Sequence, residues 1–153
     1  MTVKIKVDWA KGADTSLGIP EYKSSGASGC DLRADTFLSF QEKSCLIGIG
    51  ERKLINTGLI FEMPAGIEGQ IRPRSGLALK FGIGLLNAPG TIDNDFRGAI
   101  RVLLINLGNA EYVLNHGDRI AQLIFSNIEI VKFEITDEMS VTERANKGFG
   151  STG

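Results

Sequence analysis

With 153 residues the chain can bury one hydrophobic core and is too short for two ordinary domains. Its 17 Lys plus Arg against 18 Asp plus Glu leave a formal charge of −1, so no bulk field holds nucleic acid or an anionic membrane, and any polyanion site must be local. No apolar run approaches the roughly 18 residues that span a bilayer. Cys30 and Cys45 lack CxxC spacing and the opening Met-Thr-Val-Lys has no apolar signal core, which predicts a cytoplasmic chain with free thiols.

Val3, Ile5 and Val7 alternate with Lys4 and Lys6, as in a strand with one wet and one buried face. Residues 8–28 read as loop, and Cys30-Asp-Leu-Arg-Ala34 resumes an extended pattern with Asp31 at its start. Residues 37–40, 45–49, 53–55 and 59–63 are short candidate strands between Gly, Lys or Asn turn signals. Residues 67–72 alternate again, Arg72-Pro-Arg-Ser-Gly76 breaks the pattern, and Leu77-Ala-Leu-Lys80 suits a helical turn. Residues 83–86 and 91–93 are predicted to form a hairpin across Ala88-Pro-Gly-Thr91, where Pro and Gly match the central positions of a type II turn. Asp93 then stands at the hairpin mouth, with Ile92 facing the other way. Ile100, Val102, Leu103, Leu104 and Ile105 predict a central strand buried on both faces. Residues 111–114 and 119–125 are further strands, the second continuing through 128–133, with His116 in the turn between them. Without a second His, a Cys or clustered acids nearby in sequence, His116 reads as surface decoration. Many short strands with 19 glycines among them and almost no helix predict an all-β sandwich or jelly roll. Residues 1–135 form that single unit, and 136–153, which lack a hydrophobic period, form a C-terminal arm.

Three stretches carry chemistry. Asp93 and Asp95 beside the tight turn either solubilise it or supply a base. Arg72-Pro-Arg-Ser-Gly76 combines forked cations, a hydroxyl and a glycine, a set that suits phosphate oxygens but also occurs in ordinary surface turns. The tail Gly148-Phe-Gly-Ser-Thr-Gly153, with Arg144 and Lys147 before it, is not a Walker A loop because no Gly-Lys-Ser/Thr leads into a helix. It reads as a flexible tail in which Phe149 is out of place unless the ring stacks on something.

In chain order, Ala27-Ser-Gly-Cys-Asp-Leu-Arg-Ala34, Pro73-Arg-Ser-Gly-Leu77, Gly90-Thr-Ile-Asp-Asn-Asp-Phe-Arg-Gly98, Gly117-Asp-Arg-Ile-Ala-Gln-Leu-Ile-Phe125 and the glycine-rich segment after Arg144 resemble the five motifs of trimeric dUTP diphosphatases (dUTPases). The resemblance implies a jelly-roll subunit in a homotrimer, with active sites at the subunit interfaces and each arm closing over a site built by other subunits. It implies hydrolysis of dUTP to dUMP and pyrophosphate with Mg²⁺ on the triphosphate, which lowers dUTP and supplies dUMP for thymidylate synthesis. Carried over by motif, Asp93 activates the attacking water and Gln122 orients water or an α-phosphate oxygen. Asp31 helps hold the water shell of Mg²⁺, and Arg74, Ser75 and Gly76 hold phosphates. Asn87, Thr91 and Ile92, with main-chain groups of the turn, would match uracil. Arg101 would reach the same pocket.

Phe96 stands where the family usually has Tyr, a ring lying under deoxyribose. Arg144 suits the γ-phosphate, Phe149 a stack on uracil, and Gly150, Ser151 and Thr152 the phosphates. Ala145 and Lys147 replace glycines usual in the last motif. The related dCTP deaminases need a glutamate in the strand after the turn, and residues 97–107 contain no carboxylate. A non-catalytic nucleotide-binding module is the other alternative, against which Asp93, Ser75 and Gln122 all weigh.

Overall fold

The computed structural model describes residues 3–148. Eleven strands, two short helices and a 3₁₀ turn are assigned among them. In chain order the strands are β1 (Lys6–Trp9), β2 (Cys30–Arg33), β3 (Ser44–Ile47), β4 (Arg52–Asn56), β5 (Leu59–Glu62), β6 (Ile67–Arg72), β7 (Ile83–Leu85), β8 (Gly90–Ile92), β9 (Arg101–Asn106), β10 (Tyr112–Asn115) and β11 (Arg119–Asn127), with helices α1 (Thr36–Phe40) and α2 (Ser75–Phe81).

All pairings are antiparallel, and they join distant parts of the chain: β2–β11–β6–β8 form one sheet, β4–β9–β7 a second, and β1–β5 and β3–β10 two ribbons. Period-2 alternation turns one face of each toward a common core. Leu32, Ile71, Ile92 and Leu123 come from the first sheet, Ile55, Ile83, Val102 and Leu104 from the second, and Phe61, Ile47 and Leu114 from the ribbons. The result is the all-β jelly-roll architecture expected from the pattern of short strands. Burial pushes the thiols of Cys30 and Cys45, both free, up from their ordinary range.

Several elements differ from the sequence reading. Residues 37–40 form helix α1 rather than a strand, because buried Asp35 caps it by accepting the Leu38 N–H at 2.9 Å. The first strand begins at Lys6, where pairing to Glu62 at the end of β5 starts, so Val3 lies outside it. The central strand β9 buries Val102, Leu104 and Asn106 on one face, while Leu103 and Ile105 on the other are only partly covered. No strand continues through 128–133: β11 ends at Asn127, opposite the first residue of β6, and one further bond, from the Ile128 N–H to the Gly66 carbonyl at 3.0 Å, follows where β6 has already ended.

The hairpin across Ala88–Thr91 is also corrected. Its limbs belong to different sheets, β7 pairing with β9 and β8 with β6, so the connection crosses the sandwich. The Ala88–Pro89 peptide is cis and Gly90 sits in β8 without positive φ, so the turn is not type II. Ile83 and Leu85 enter the common core from one sheet and Ile92 from the other, and that burial outweighs the local pairing that the short connection favours.

Candidate active site

Two groups of side chains stand at opposite ends of the β2–β11–β6–β8 sheet, the first on its outer face and the second in a cleft that residues of the β4–β9–β7 sheet also line. The first lies where β6 ends. Pro73 stops that strand, and Arg74 enters α2 in extended conformation as its N-cap without a side-chain capping bond. Its guanidinium is therefore free to cross the sheet, where Nε donates to Asp31 Oδ1 at 2.9 Å. Arg119 Nη1 donates to the other carboxylate oxygen, Oδ2, at 3.1 Å. Arg74 Nη1 also reaches the Arg119 carbonyl at 3.2 Å, which locks the two arginine-bearing segments together. Register sets Asp31 opposite Gln122, and Gln122 opposite Arg72. Asp31, only 12% exposed at its side chain, thus sits in a row of polar groups with a guanidinium on each oxygen. Ser75 and Gly76 are exposed at the start of α2, and open space lies where a side chain of residue 76 would stand.

The second group lines a cleft of about 370 Å³ at the other end of the sheet, with Asn87, Thr91, Ile92, Asp93, Phe96 and Arg101 on its walls. Gly90 leaves room for the Asn87 amide, whose Nδ2 lies 3.2 Å from where a Cβ at residue 90 would stand. Alternation along β8 buries Ile92 and leaves Thr91 and Asp93 exposed. The Asp93 carbonyl accepts the Phe96 N–H at 3.2 Å, closing a turn. From outside, Arg97 Nη1 clamps this turn through the Asn94 carbonyl at 2.7 Å and the Phe96 carbonyl at 3.0 Å.

The register keeps the two groups apart. Ile92 pairs with Gly69, which carries Asp93 on toward the Glu68 level of β6, whereas Asp31 and Gln122 align with Arg72. Four residues along β6 at ~3.3 Å each and three strand spacings at ~4.8 Å put Asp93 and Asp31 roughly 20 Å apart within one chain. The cleft group carries Asp93 with Arg101, and the other carries Arg74 and Arg119 on Asp31.

A family model described as dUTPase matches residues 15–153. The chain belongs to the dUTPase family. Hydrolysis of dUTP is the activity that goes with that membership. The deoxyuridine 5′-triphosphate nucleotidohydrolase of Roseobacter denitrificans is 48% identical over 151 residues, covering 99% of this chain and 97% of that protein. The corresponding protein of Treponema denticola is 52% identical over 135 residues, covering 88% and 90%. In fold, the chain resembles a solved Staphylococcus bacteriophage 80alpha dUTPase with dUPNHPP, with a TM-score of 0.85 at 23% identity over 99% of both chains.

Of the residues that the motifs of this family single out, Asp31, Arg74, Ser75, Gly76 and Gln122 share the first group, and Asn87, Thr91, Ile92, Asp93, Phe96 and Arg101 the second. Arg144 is exposed, its Nε donating to the Lys147 carbonyl at 3.1 Å, and it joins neither group. Phe149, Gly150, Ser151 and Thr152 lie outside the described residues. Sequence reasoning gave Arg119 no role, although its place beside Asp31 follows once β2 and β11 are seen to pair, since Arg119 and Gln122 are three residues apart in one strand.

His116 is not surface decoration. It is 14% exposed at its side chain, with Nδ1 accepting the Thr36 N–H at 3.3 Å and Nε2 2.9 Å from Asp14 Oδ2. Accepting at Nδ1 places the proton on Nε2, which donates to Asp14, so the ring ties the β10–β11 turn to α1 and the 3₁₀ turn. Its acidic neighbours, Asp14 and Asp35, stand far away in sequence, and only the fold brings them to it.

Proposed function

We propose that the chain works in the cytoplasm as a homotrimer that hydrolyses dUTP to dUMP and pyrophosphate, lowering dUTP and supplying dUMP for thymidylate synthesis. The observation that carries this reading is the separation of the two groups on one sheet. An acid at a nucleoside-sized cleft in one subunit and a phosphate-binding row in its neighbour complete each other when subunits meet head to tail. Two further observations support assembly. Leu103 and Ile105 face outward only partly covered, and Ile130, Val131, Phe133, Ile135, Met139 and Val141 are 65% to 99% exposed, an apolar load that an isolated arm would not carry in water. The arm, with Arg144 and the glycine-rich end, closes over a site of other subunits, Phe149 stacking on uracil and Gly150, Ser151 and Thr152 meeting the phosphates.

In this reading Asn87 and the main chain of the 87–92 connection pair with the uracil edge in the cleft, Thr91 and Ile92 forming its wall. Close-packed backbone excludes a thymine methyl. Phe96 lies under the deoxyribose and Arg101 closes the side. The Asp93 carboxylate takes a proton from water, and the water oxygen forms a bond to the α-phosphorus in line with the α–β bridge. That P–O bond breaks, and pyrophosphate departs with the electron pair. Arg74 and Arg144 offset the charge that builds on it, with the Ser75 hydroxyl and the approach left open at Gly76 adding donors. Gln122, exposed on β11, orients the water or an α-phosphate oxygen.

Mg²⁺ fits this arrangement only as a substrate-bound ion. Among the described residues no three His, Cys, Asp or Glu side chains cluster as a metal cage, and both Asp31 oxygens already accept from arginines. Asp31 would hold the ion through water, while the triphosphate supplies the direct ligands. Bound there, it would neutralise phosphate charge and fix the triphosphate conformation.

Asp93→Asn tests the reaction. Pyrophosphate release from dUTP is expected to fall by about 10²-fold or more while dUTP binding by calorimetry persists. Unchanged turnover would remove Asp93 from the base role. The native enzyme should release pyrophosphate from dUTP and not from dCTP, dTTP or UTP at the same concentration.

A further inference from the structure

We propose that Gly98 is a positioning residue for sugar selection, the seat that holds the Phe96 ring in place; this rests on the reading of Phe96 as the deoxyribose contact. A Cβ at residue 98 would stand 2.5 Å from Phe96 Cζ, 2.9 Å from Cε2 and 3.2 Å from Cε1. The three nearest atoms all belong to one ring, so the ring lies directly on the Gly98 main chain. Gly98 is not among the residues with positive φ, so its backbone conformation alone does not call for glycine. The space taken by the ring does.

The backbone that carries the ring is pinned on both sides. The Phe96 N–H bonds the Asp93 carbonyl, and Arg97 holds the Phe96 carbonyl at 3.0 Å. With the main chain fixed, the orientation of the ring is decided by what lies beneath it. A phenylalanine ring has no hydroxyl with which to tether its far end, so at this position contact with Gly98 is the restraint. Phe96 is 44% exposed, so the ring is not locked in the core and can give way on its open side. Gly98→Ala should therefore fold, move the ring off its seat and leave Asp93 and the phosphate group where they are. Phe96 lines the same cleft as Asn87 and Asp93, so the displaced ring no longer closes the space beneath a pentose, where a 2′-hydroxyl can then enter.

The test compares kcat/KM for dUTP and for UTP in the native enzyme, Gly98→Ala, Phe96→Ala and the double variant, with thermal midpoints alongside. The dUTP-to-UTP ratio should fall at least about tenfold in Gly98→Ala. It should fall also in Phe96→Ala, and the double variant should be no worse than Phe96→Ala alone, because without the ring the seat has nothing to hold. An unchanged ratio in Gly98→Ala with a reduced one in Phe96→Ala overturns the role of Gly98 and leaves the sugar contact standing. An unchanged ratio in Phe96→Ala overturns the sugar contact itself, and the role of Gly98 with it. Additive losses in the double variant, or its failure to fold, would show that glycine is required for something other than the ring and would overturn the inference.

Discussion

Mixing two inactive variants provides a direct test of the shared site. Asp93→Asn removes the acid of the cleft group, and Arg74→Ala removes the cation that holds Asp31 at 2.9 Å in the other group. With roughly 20 Å between Asp93 and Asp31 in one chain, each variant spoils one half of the site and leaves the other half intact. In a head-to-tail ring of three containing both variants, whichever is in the majority, one interface joins an intact Asp93 to an intact Arg74 from its neighbour. The two chains, carrying different affinity tags, are co-expressed, and hybrids are isolated by passing them over both resins in succession. Pyrophosphate release from dUTP by these hybrids should reach about a third of the native rate per trimer, from parents each at or below about 1%. Hybrids no more active than their parents would show that Asp93 and Arg74 serve the same subunit, and would refute the reading built on the register of β6 with β8 and β11.

Three further outcomes follow from particular contacts. Stopping the chain after Glu143 removes Arg144 and the glycine-rich end; the sedimentation profile should stay that of the full-length protein while kcat/KM for dUTP falls at least about tenfold, and full activity would detach the arm from the site. Asn106→Leu leaves the Ile47 and Ala110 carbonyls and the Gly108 N–H without the partners they have at 2.9, 2.8 and 2.9 Å, at a cost of about 3 kcal/mol or more, seen as a drop of roughly 10 °C in thermal midpoint. Bonds from Ser16 first, then His116, lower the Asp14 carboxyl to about 2. A lowered folded pKa contributes stability that is present above the unfolded value and is lost as pH falls through the folded one. The deficit of Asp14→Asn in urea midpoint should therefore be full at pH 6 and shrink between about pH 4 and 2; a deficit constant over that range would show that the carboxylate charge is not involved.

Sequence alone was enough for what depends on local pattern. Alternation from Ile67 to Arg72 placed β6 with its correct ends, and the broken pattern at Arg72-Pro-Arg-Ser-Gly76 marked a strand end and the start of α2. The five ordered motifs identified the family and the candidate residues, because phosphate and base contacts demand particular side chains. Periodicity misread two segments. Asp35, three residues before Leu38, is a local N-cap that starts a helix in a segment whose apolar pattern looked extended. Residues 83–93 looked like a hairpin because its limbs are adjacent in sequence, yet each limb pairs into a different sheet.

Only the tertiary structure decided how the motif residues divide. Registers of β8 and β11 on β6 are set by which faces become buried, a property of the whole sandwich, and they send Asp93 and Asp31 to opposite corners of one sheet. The arginines on Asp31 stand 43 and 88 positions from it and His116 stands 102 from Asp14, separations that no reading of neighbours in sequence reaches, and the placement of the Phe96 ring on Gly98 depends on side-chain packing. What the chain carries was written in its residue types. Where those residues stand was decided by burial.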